Sequence, residues 1–175
     1  GEFKGSGEYL SLADSDDWNF GSGAFAIDCW IRLTSYADAG WSSVIVGQFK
    51  DYNNYWMLQL YSSGGSGQNI YLASKSGGVE GIAWAPGTTI SLNTWYHIAF
   101  TRSGNDLRAF QDGVQIGSVG DATGLSMPNT DSVLYLGIHP LAYKYFNGWI
   151  DEVRVSKGIA RWTSNFTPPS APYET

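Results

Sequence analysis

One cysteine, Cys29, stands alone in a chain of 175 residues. No intrachain disulfide can form, so the fold rests on noncovalent packing. Charge is scarce as well. Only 15 % of residues are charged, 10 Lys or Arg against 16 acids, for a net charge of −6. Duplex and membrane-surface binders carry a basic stripe, and the scattered cations here form none, which argues against nucleic acid as a partner. No signal segment is visible, and no apolar run approaches the ~18 residues of a membrane-spanning helix. There is no long amphipathic period, and no repeat of the length that marks propellers and solenoids. What is plentiful is glycine, 22 residues, and aromatic residues, 8 Trp, 11 Tyr and 8 Phe. Many short strands joined by tight turns fit that mix, and the length suits one domain with a sizeable core.

Taken in order, residues 8–13 read as a short first strand. The loop Asp14-Ser15-Asp16-Asp17 then places three acids within four positions. Such a loop offers oxygen ligands to a hard cation such as calcium; a solvated, Asx-capped turn is the plain alternative. Residues 24–33 form a long strand with Phe25, Ile27, Cys29, Ile31 and Leu33 on an apolar face. Cys29 is therefore a buried, inert thiol. The other face carries Ala26, Asp28, Trp30 and Arg32, and is either partly exposed or covered by a loop. Val44 to Phe49 and Asn54 to Tyr61 read as a hairpin. In the second of these, Tyr55, Met57, Gln59 and Tyr61 face one way and Trp56, Leu58 and Leu60 the other.

Further strands are predicted over residues 69–74, 79–85, 95–102, 107–111, 114–119 and 133–137. Asp112-Gly113 is the strongest two-residue hairpin signal. Roughly a dozen short strands predict an all-β, antiparallel two-sheet β-sandwich or jelly roll. A helical turn is expected only at Gly158 to Thr163. The opening GEFKGSG, residues 1–7, reads as an appended leader to a single domain spanning 1–175, and 168–175 as a Pro-rich extended tail.

The closing strand follows the turn signal Asn147-Gly148. Strict alternation places Trp149, Asp151, Val153 and Val155 on one face and Ile150, Glu152 and Arg154 on the other. A carboxylate at Asp151 would then point toward an apolar layer, where it needs a cation, donors or a proton. A metal ligand or a turn-capping acid satisfies that need. Across the polar faces, Asp28 is expected to meet Arg154.

Five segments carry a family resemblance. GWIDEVRVSKGIARWTSNF resembles the closing strand of laminin-G-like, concanavalin A-like domains. Tyr9-Leu10-Ser11-Leu12 is similar to their opening strand, Phe25-Ala26-Ile27-Asp28-Cys29-Trp30-Ile31 to the strand that follows, and Asn93-Thr94-Trp95-Tyr96-His97-Ile98-Ala99 to a central strand. Phe110-Gln111-Asp112-Gly113-Val114 resembles the family's Tyr-x-Asp-Gly hairpin. The resemblance covers nearly the whole chain and speaks to fold more than to ligand. It implies a structural calcium ion held by the acid that opens the final strand, here Asp151, with the Asp14–Asp16 loop a second contributor. The tail SKGIARWTSNFTPP also resembles LamG-like modules of phage and bacterial surface proteins, which implies an extracellular or virion-surface setting.

Catalytic chemistry finds little support. Glycan hydrolysis needs two carboxylates ~5–10 Å apart across a cleft. Glu8, Glu80 and Glu152 are far apart in sequence, and Asp151 and Glu152, as strand neighbours, should point to opposite faces. There is no nucleophile elbow and no His-based zinc motif. Carbohydrate binding is better served. Sugars stack their C–H faces on aromatic rings while amides and carboxylates take their hydroxyls. Tyr52, Asn53, Asn54, Tyr55 and Trp56 combine these groups at one hairpin, and Trp41, Trp84 and Tyr143 are further loop or strand-end aromatics. The plain alternative for each is core packing or a cross-strand pair. The sequence thus predicts a non-catalytic module for carbohydrate, with a structural decoration or protein-interaction domain as the alternative, and a glycan-cleaving enzyme less favoured.

Overall fold

A computed structural model describes residues 1–36, 42–61 and 69–173. Fourteen strands are described: β1 (Glu2–Lys4), β2 (Leu10–Leu12), β3 (Phe25–Leu33), β4 (Ser42–Asp51), β5 (Asn54–Tyr61), β6 (Asn69–Ser76), β7 (Val79–Trp84), β8 (Tyr96–Ser103), β9 (Asp106–Gln111), β10 (Val114–Asp121), β11 (Leu134–Leu136), β12 (Ile138–His139), β13 (Lys144–Tyr145) and β14 (Asn147–Lys157). The first sheet runs β1-β14-β3-β8-β9-β10 and the second β2-β11-β4-β5-β6-β7; β12 and β13 form a separate hairpin. Every pairing is antiparallel. The chain is the all-β two-sheet sandwich that its turn spacing predicts.

Alternation builds the core. Phe25, Ile27, Cys29, Ile31 and Leu33 of β3 and Ile98 and Phe100 of β8 face Ile45, Trp56, Leu58, Leu60, Ile70 and Leu72 of the second sheet, all fully buried. Each large side chain removed from water contributes roughly 1.5–3 kcal/mol. Burial drives the Cys29 thiol well above its ordinary pKa, so it is inert, as its place on the apolar face predicts.

Three features depart from the sequence expectations. The opening residues are folded into the sheet: β1 pairs with β14, and Phe3 is buried against Phe146. Residues 158–163 hold bends, and the described helical turn is instead a short 3-10 segment at Asp16–Trp18, capped by the Ser15 hydroxyl accepting from the Asp17 N–H. Third, β14 does not alternate strictly. A bulge lies between Asp151 and Arg154, with Glu152 in the left-handed region at φ 49°. Before the bulge Ile150 faces the core; after it Val153 and Val155 do. Asp151 is thereby turned outward, its side chain 62 % exposed, and the apolar surroundings expected for its carboxylate are absent.

The Asp112-Gly113 turn forms as predicted, with both residues at positive φ. Gly113 has a second duty. A Cβ there would collide with the Phe166 carbonyl, which belongs to the segment crossing above it.

Candidate functional site

The outer face of the first sheet is covered by the chain itself. Residues 162–173 run across it as a strap. Phe166 N–H donates to the Gly113 carbonyl (2.9 Å), Gln115 N–H to Asn165 Oδ1 (2.9 Å), and the Thr101 hydroxyl to the Trp162 carbonyl (2.8 Å). Trp162 and Phe166 stack at 4.2 Å, and His97 meets both edge-on. Beneath lies Asp28, fully buried. It accepts from Arg154 Nε (3.1 Å) and Nη2 (3.0 Å), and from the Tyr173 hydroxyl, and His97 Nε2 is 3.3 Å away. The expected Asp28–Arg154 contact is therefore present. Burial alone would raise the Asp28 carboxyl, but hydrogen bonds from His97, Arg154 and Tyr173 outweigh it and hold it below the ordinary carboxylate range. Burial, then the Asp28 hydrogen bond, raises the Tyr173 phenol. The Tyr173 ring lies 3.8 Å under the Arg154 guanidinium, and its N–H donates to Glu152 Oε2 (2.7 Å). Arg32 donates to the Asn93 carbonyl and rests on Trp149.

Beside the strap is a cleft of about 480 Å³ lined by Trp30, Trp95, Asp151, Glu152 and residues 169–172. The bulge brings both acids to this cleft, contrary to the opposite faces that strict alternation assigns them. Glu152 is engaged by the Tyr173 N–H, and Asp151 lies 3.8 Å from the Gly1 amino group.

The outer face of the second sheet is built differently. Val44, Phe49 and Met57 form a small buried cluster with Tyr55 against it. Phe49 stacks on Tyr55 (5.1 Å) and meets Tyr52 edge-on (5.6 Å), and His139, from the β12–β13 hairpin, lies 4.6 Å from Phe49. Burial holds the His139 imidazole below its ordinary pKa. Further along β5 and β6, Tyr61 and Tyr71 are neighbours at 6.1 Å. Tyr52 is 57 % exposed and Tyr61 38 %. Burial, and then the Glu80 carboxylate, raises the phenols of Tyr55 and Tyr71; Glu80 pairs with Lys75 and Lys75 with Tyr55, so both charges stand on this face. The result is a line of tyrosines over a sunken floor of Met57, Gln59 and Ala73.

The residues nominated from sequence separate into groups. Tyr52 and Tyr55 lie on this platform. Asn53 is exposed at the β4–β5 turn, where its carbonyl accepts from Gly78 N–H. Asn54 is tied into the fold: its amide donates to Asp51 (3.0 Å) and accepts from Gly77 N–H (2.9 Å). Trp56 points into the core, its indole donating to Gln48 Oε1 (3.0 Å), because its parity is opposite to that of Tyr55. Trp84 packs edge-on to Phe100 at the rim of the core, away from the platform. Tyr143 is 73 % exposed near the β12–β13 turn, beside Lys144, Tyr145 and Asn147. Trp41 lies outside the described residues.

The carboxylates nominated for calcium do not meet. Asp14 accepts from Gln48 Nε2 (2.9 Å). Asp16 lies by Lys157, whose Nζ donates to its carbonyl (2.7 Å). Asp151 is six residues from Lys157 along β14, roughly 20 Å at the rise of a strand. Among the described residues, no group of three or more His, Cys, Asp or Glu is arranged to hold a metal. Sequence reasoning missed Phe49, Gln59, Tyr61, Tyr71 and His139 as platform residues. The shared parity of Tyr55, Gln59 and Tyr61 was the available signal.

An antiparallel sandwich of two six-stranded sheets with a meander in each defines the architecture of lectin-like jelly rolls. Residues 4–161 match the family described as the concanavalin A-like lectin/glucanases superfamily, and the chain belongs to it. No curated protein matches the sequence. Among solved structures, domain 4 of AbnA, an extracellular arabinanase of Geobacillus stearothermophilus solved with arabinotriose, is similar at TM-score 0.61 and 16 % identity, over 90 % of this chain and 82 % of that one. The mouse laminin α1 LG4-5 domains are similar at TM-score 0.63 and 17 % identity, over 89 % of this chain and 40 % of that one. The binding domain of Paraclostridial Mosquitocidal Protein 1 is similar at TM-score 0.65 and 19 % identity, over 89 % and 39 %. The chain thus spans less than half of the latter two. At these identities the likeness shows the fold. Among the described residues, no helix is long and apolar enough to cross a membrane.

Proposed function

We propose that the chain is a non-catalytic carbohydrate-recognition module, acting outside the cell or on a virion surface, that lays its glycan along the outer face of the second sheet. The observation that carries this reading is the row Tyr52, Tyr55, Tyr61 and Tyr71, set over a floor too short to fill the space between the rings. Tyr55 and Tyr61 are six residues apart on one strand, a span of about 20 Å, which suits a short oligosaccharide better than a monosaccharide. Rings on strands are held in fixed rotamers by their neighbours, so little entropy is lost when a sugar stacks on them. The arabinotriose bound by the similar AbnA domain supports a saccharide as the class of ligand. A calcium ion at Asp151, which the family resemblance implies, would lie on the first sheet and is no part of this reading.

Printed-glycan arrays test it. The parent should give signal on at least one glycan class, and Tyr52→Ala combined with Tyr55→Ala should abolish that signal while leaving the fold intact by circular dichroism. Reducing ends released from a polysaccharide would replace recognition with catalysis. A parent silent on every glycan would remove the reading and leave the structural-decoration alternative standing.

A further inference from the structure

At the end of the platform farthest from Tyr52 is a hollow of about 520 Å³, lined by Ser42, Gln59, Tyr61, Asn69, Tyr71 and Ala85. That volume lies within the usual range of small-molecule sites, ~300–1,000 Å³. Gln59 forms part of its floor and is 5 % exposed. Its side-chain carbonyl, Oε1, is buried and has no hydrogen-bond partner among the described residues. A buried acceptor left unmatched is destabilising, so a sheet that keeps Gln there has reason to use the oxygen. Tyr61 and Tyr71, a tilted ring pair with centroids 6.1 Å and planes 41° apart, together form an aromatic wall of the hollow, which is a notch in the sheet face.

We infer that this notch seats one uncharged sugar ring of the glycan, with a hydroxyl donating to Gln59 Oε1 and a C–H face against Tyr71. The inference rests on the carbohydrate reading and names the subsite that gives it selectivity. Two features fix the class of sugar. Among the described residues, the polar groups lining the notch are hydroxyls and amides, with no cation to pair with a uronate or sulfate. On the same face Glu80 is paired with Lys75, which stands beside Tyr55 and outside the notch lining, and the chain as a whole carries a charge of −6, which disfavours an acidic glycan. A neutral ring that presents a hydroxyl donor satisfies the buried oxygen, and a deoxy ring at the same place leaves it unmatched. A site built around such a hydrogen bond discriminates more sharply than an apolar wall does.

Affinity electrophoresis distinguishes the outcomes. The gels contain arabinan, xylan, mixed-linkage β-glucan or mannan as neutral probes, and polygalacturonate or alginate as acidic ones. The parent should be retarded by at least one neutral polysaccharide and by neither acidic one. Tyr71→Ala and Gln59→Met should each weaken that retardation about tenfold, the factor that ~1.4 kcal/mol represents. Thermal melts of both variants check that they fold, and Tyr71→Phe, which keeps the ring, should retain most of the affinity. Retardation that survives Tyr71→Ala and Gln59→Met but is lost in Tyr52→Ala would overturn the notch and leave the platform. Preference for polygalacturonate or alginate would overturn the neutral-sugar assignment. A parent retarded by none of the six would overturn the carbohydrate reading, and the notch with it.

Discussion

The first sheet carries Asp28, His97 and Arg154 on its outer face, and residues 162–173 lie over them. The second carries Phe49, Tyr55, Gln59, Tyr61 and Tyr71 on its outer face, and its covering, among the described residues, is the β12–β13 hairpin beside β4. The contrast follows from what each face must satisfy. A carboxylate and a guanidinium on a sheet need either water or a complete set of partners. The strap supplies the second, through the Tyr173 hydroxyl and the Trp162 and Tyr173 rings flanking Arg154. A row of tyrosines can stand half in water, because each ring has a polar tip. Thus the face with the buried charges is the closed one, and the open face carries the tyrosine row with Lys75 and Glu80 paired beside it.

Several measurements would break or sharpen that division, beginning with the largest expected effect. Trp56→Ala should destabilise the domain by about 3–5 kcal/mol, because it opens a cavity in the core and removes the indole donor to Gln48 Oε1. Its glycan affinity, measured on whatever fraction folds, should match the parent; a selective loss of affinity in a fully stable variant would return Trp56 to the binding surface. Asp28→Ala leaves the Arg154 charge without its buried partner and should cost about 3 kcal/mol, a fall in melting temperature of roughly 6–12 °C, with platform binding unchanged.

The same carboxylate sets a dependence on pH. Its folded pKa lies below the unfolded value of about 3.9, so its contribution is fully present above that pH and disappears as pH falls through the folded value. Urea melts at pH 7 and pH 3 should show the gap between parent and Asp28→Ala narrowing at the lower pH; a constant gap would mean that Asp28 acts without its charge. On the other sheet, Tyr52→Ala should alter stability by less than about 0.5 kcal/mol while weakening glycan binding, since its ring is largely in water. Smallest of all is the response to metal. With Asp14, Asp16 and Asp151 dispersed, melting in EDTA and in millimolar calcium should coincide, and a calcium-dependent rise lost in Asp151→Asn would locate an ion at the β14 bulge.

The strands that make the core were readable because they keep a period of two without interruption, as β3 and β5 do. The Asp28–Arg154 pair was readable for the same reason, since both lie on polar faces of strands that the fold brings together. Asp151 was misplaced because one residue in the left-handed region shifts the phase of everything after it, and Glu152 has no feature in the sequence that marks it for that conformation. The strap was named as a Pro-rich tail but its target was invisible. Trp162, Phe166 and Tyr173 follow no strand period, and their partners are Thr101, Gly113 and Asp28, at least fifty residues upstream. The notch at Gln59 was half legible. The shared parity of Tyr55, Gln59 and Tyr61 stood in the sequence, but an amide lacking a partner appears only once its neighbours are in place.

The position of β14 between β1 and β3 imposes an order on the chain as it is made. The β4–β7 meander is formed of successive hairpins and can close soon after it leaves the ribosome. β3 is synthesised before all of them, yet one of its edges stays open until the Asn147–Lys157 segment arrives more than a hundred residues later. For that interval the nascent protein presents an unpaired strand bearing Phe25, Ile27, Ile31 and Leu33, the kind of edge that recruits chaperones or neighbouring nascent chains. Translation that stalls between residues 103 and 147 would therefore release a half-built first sheet, and yield in expression should depend more on the tempo of that stretch than on the stability of the finished sandwich.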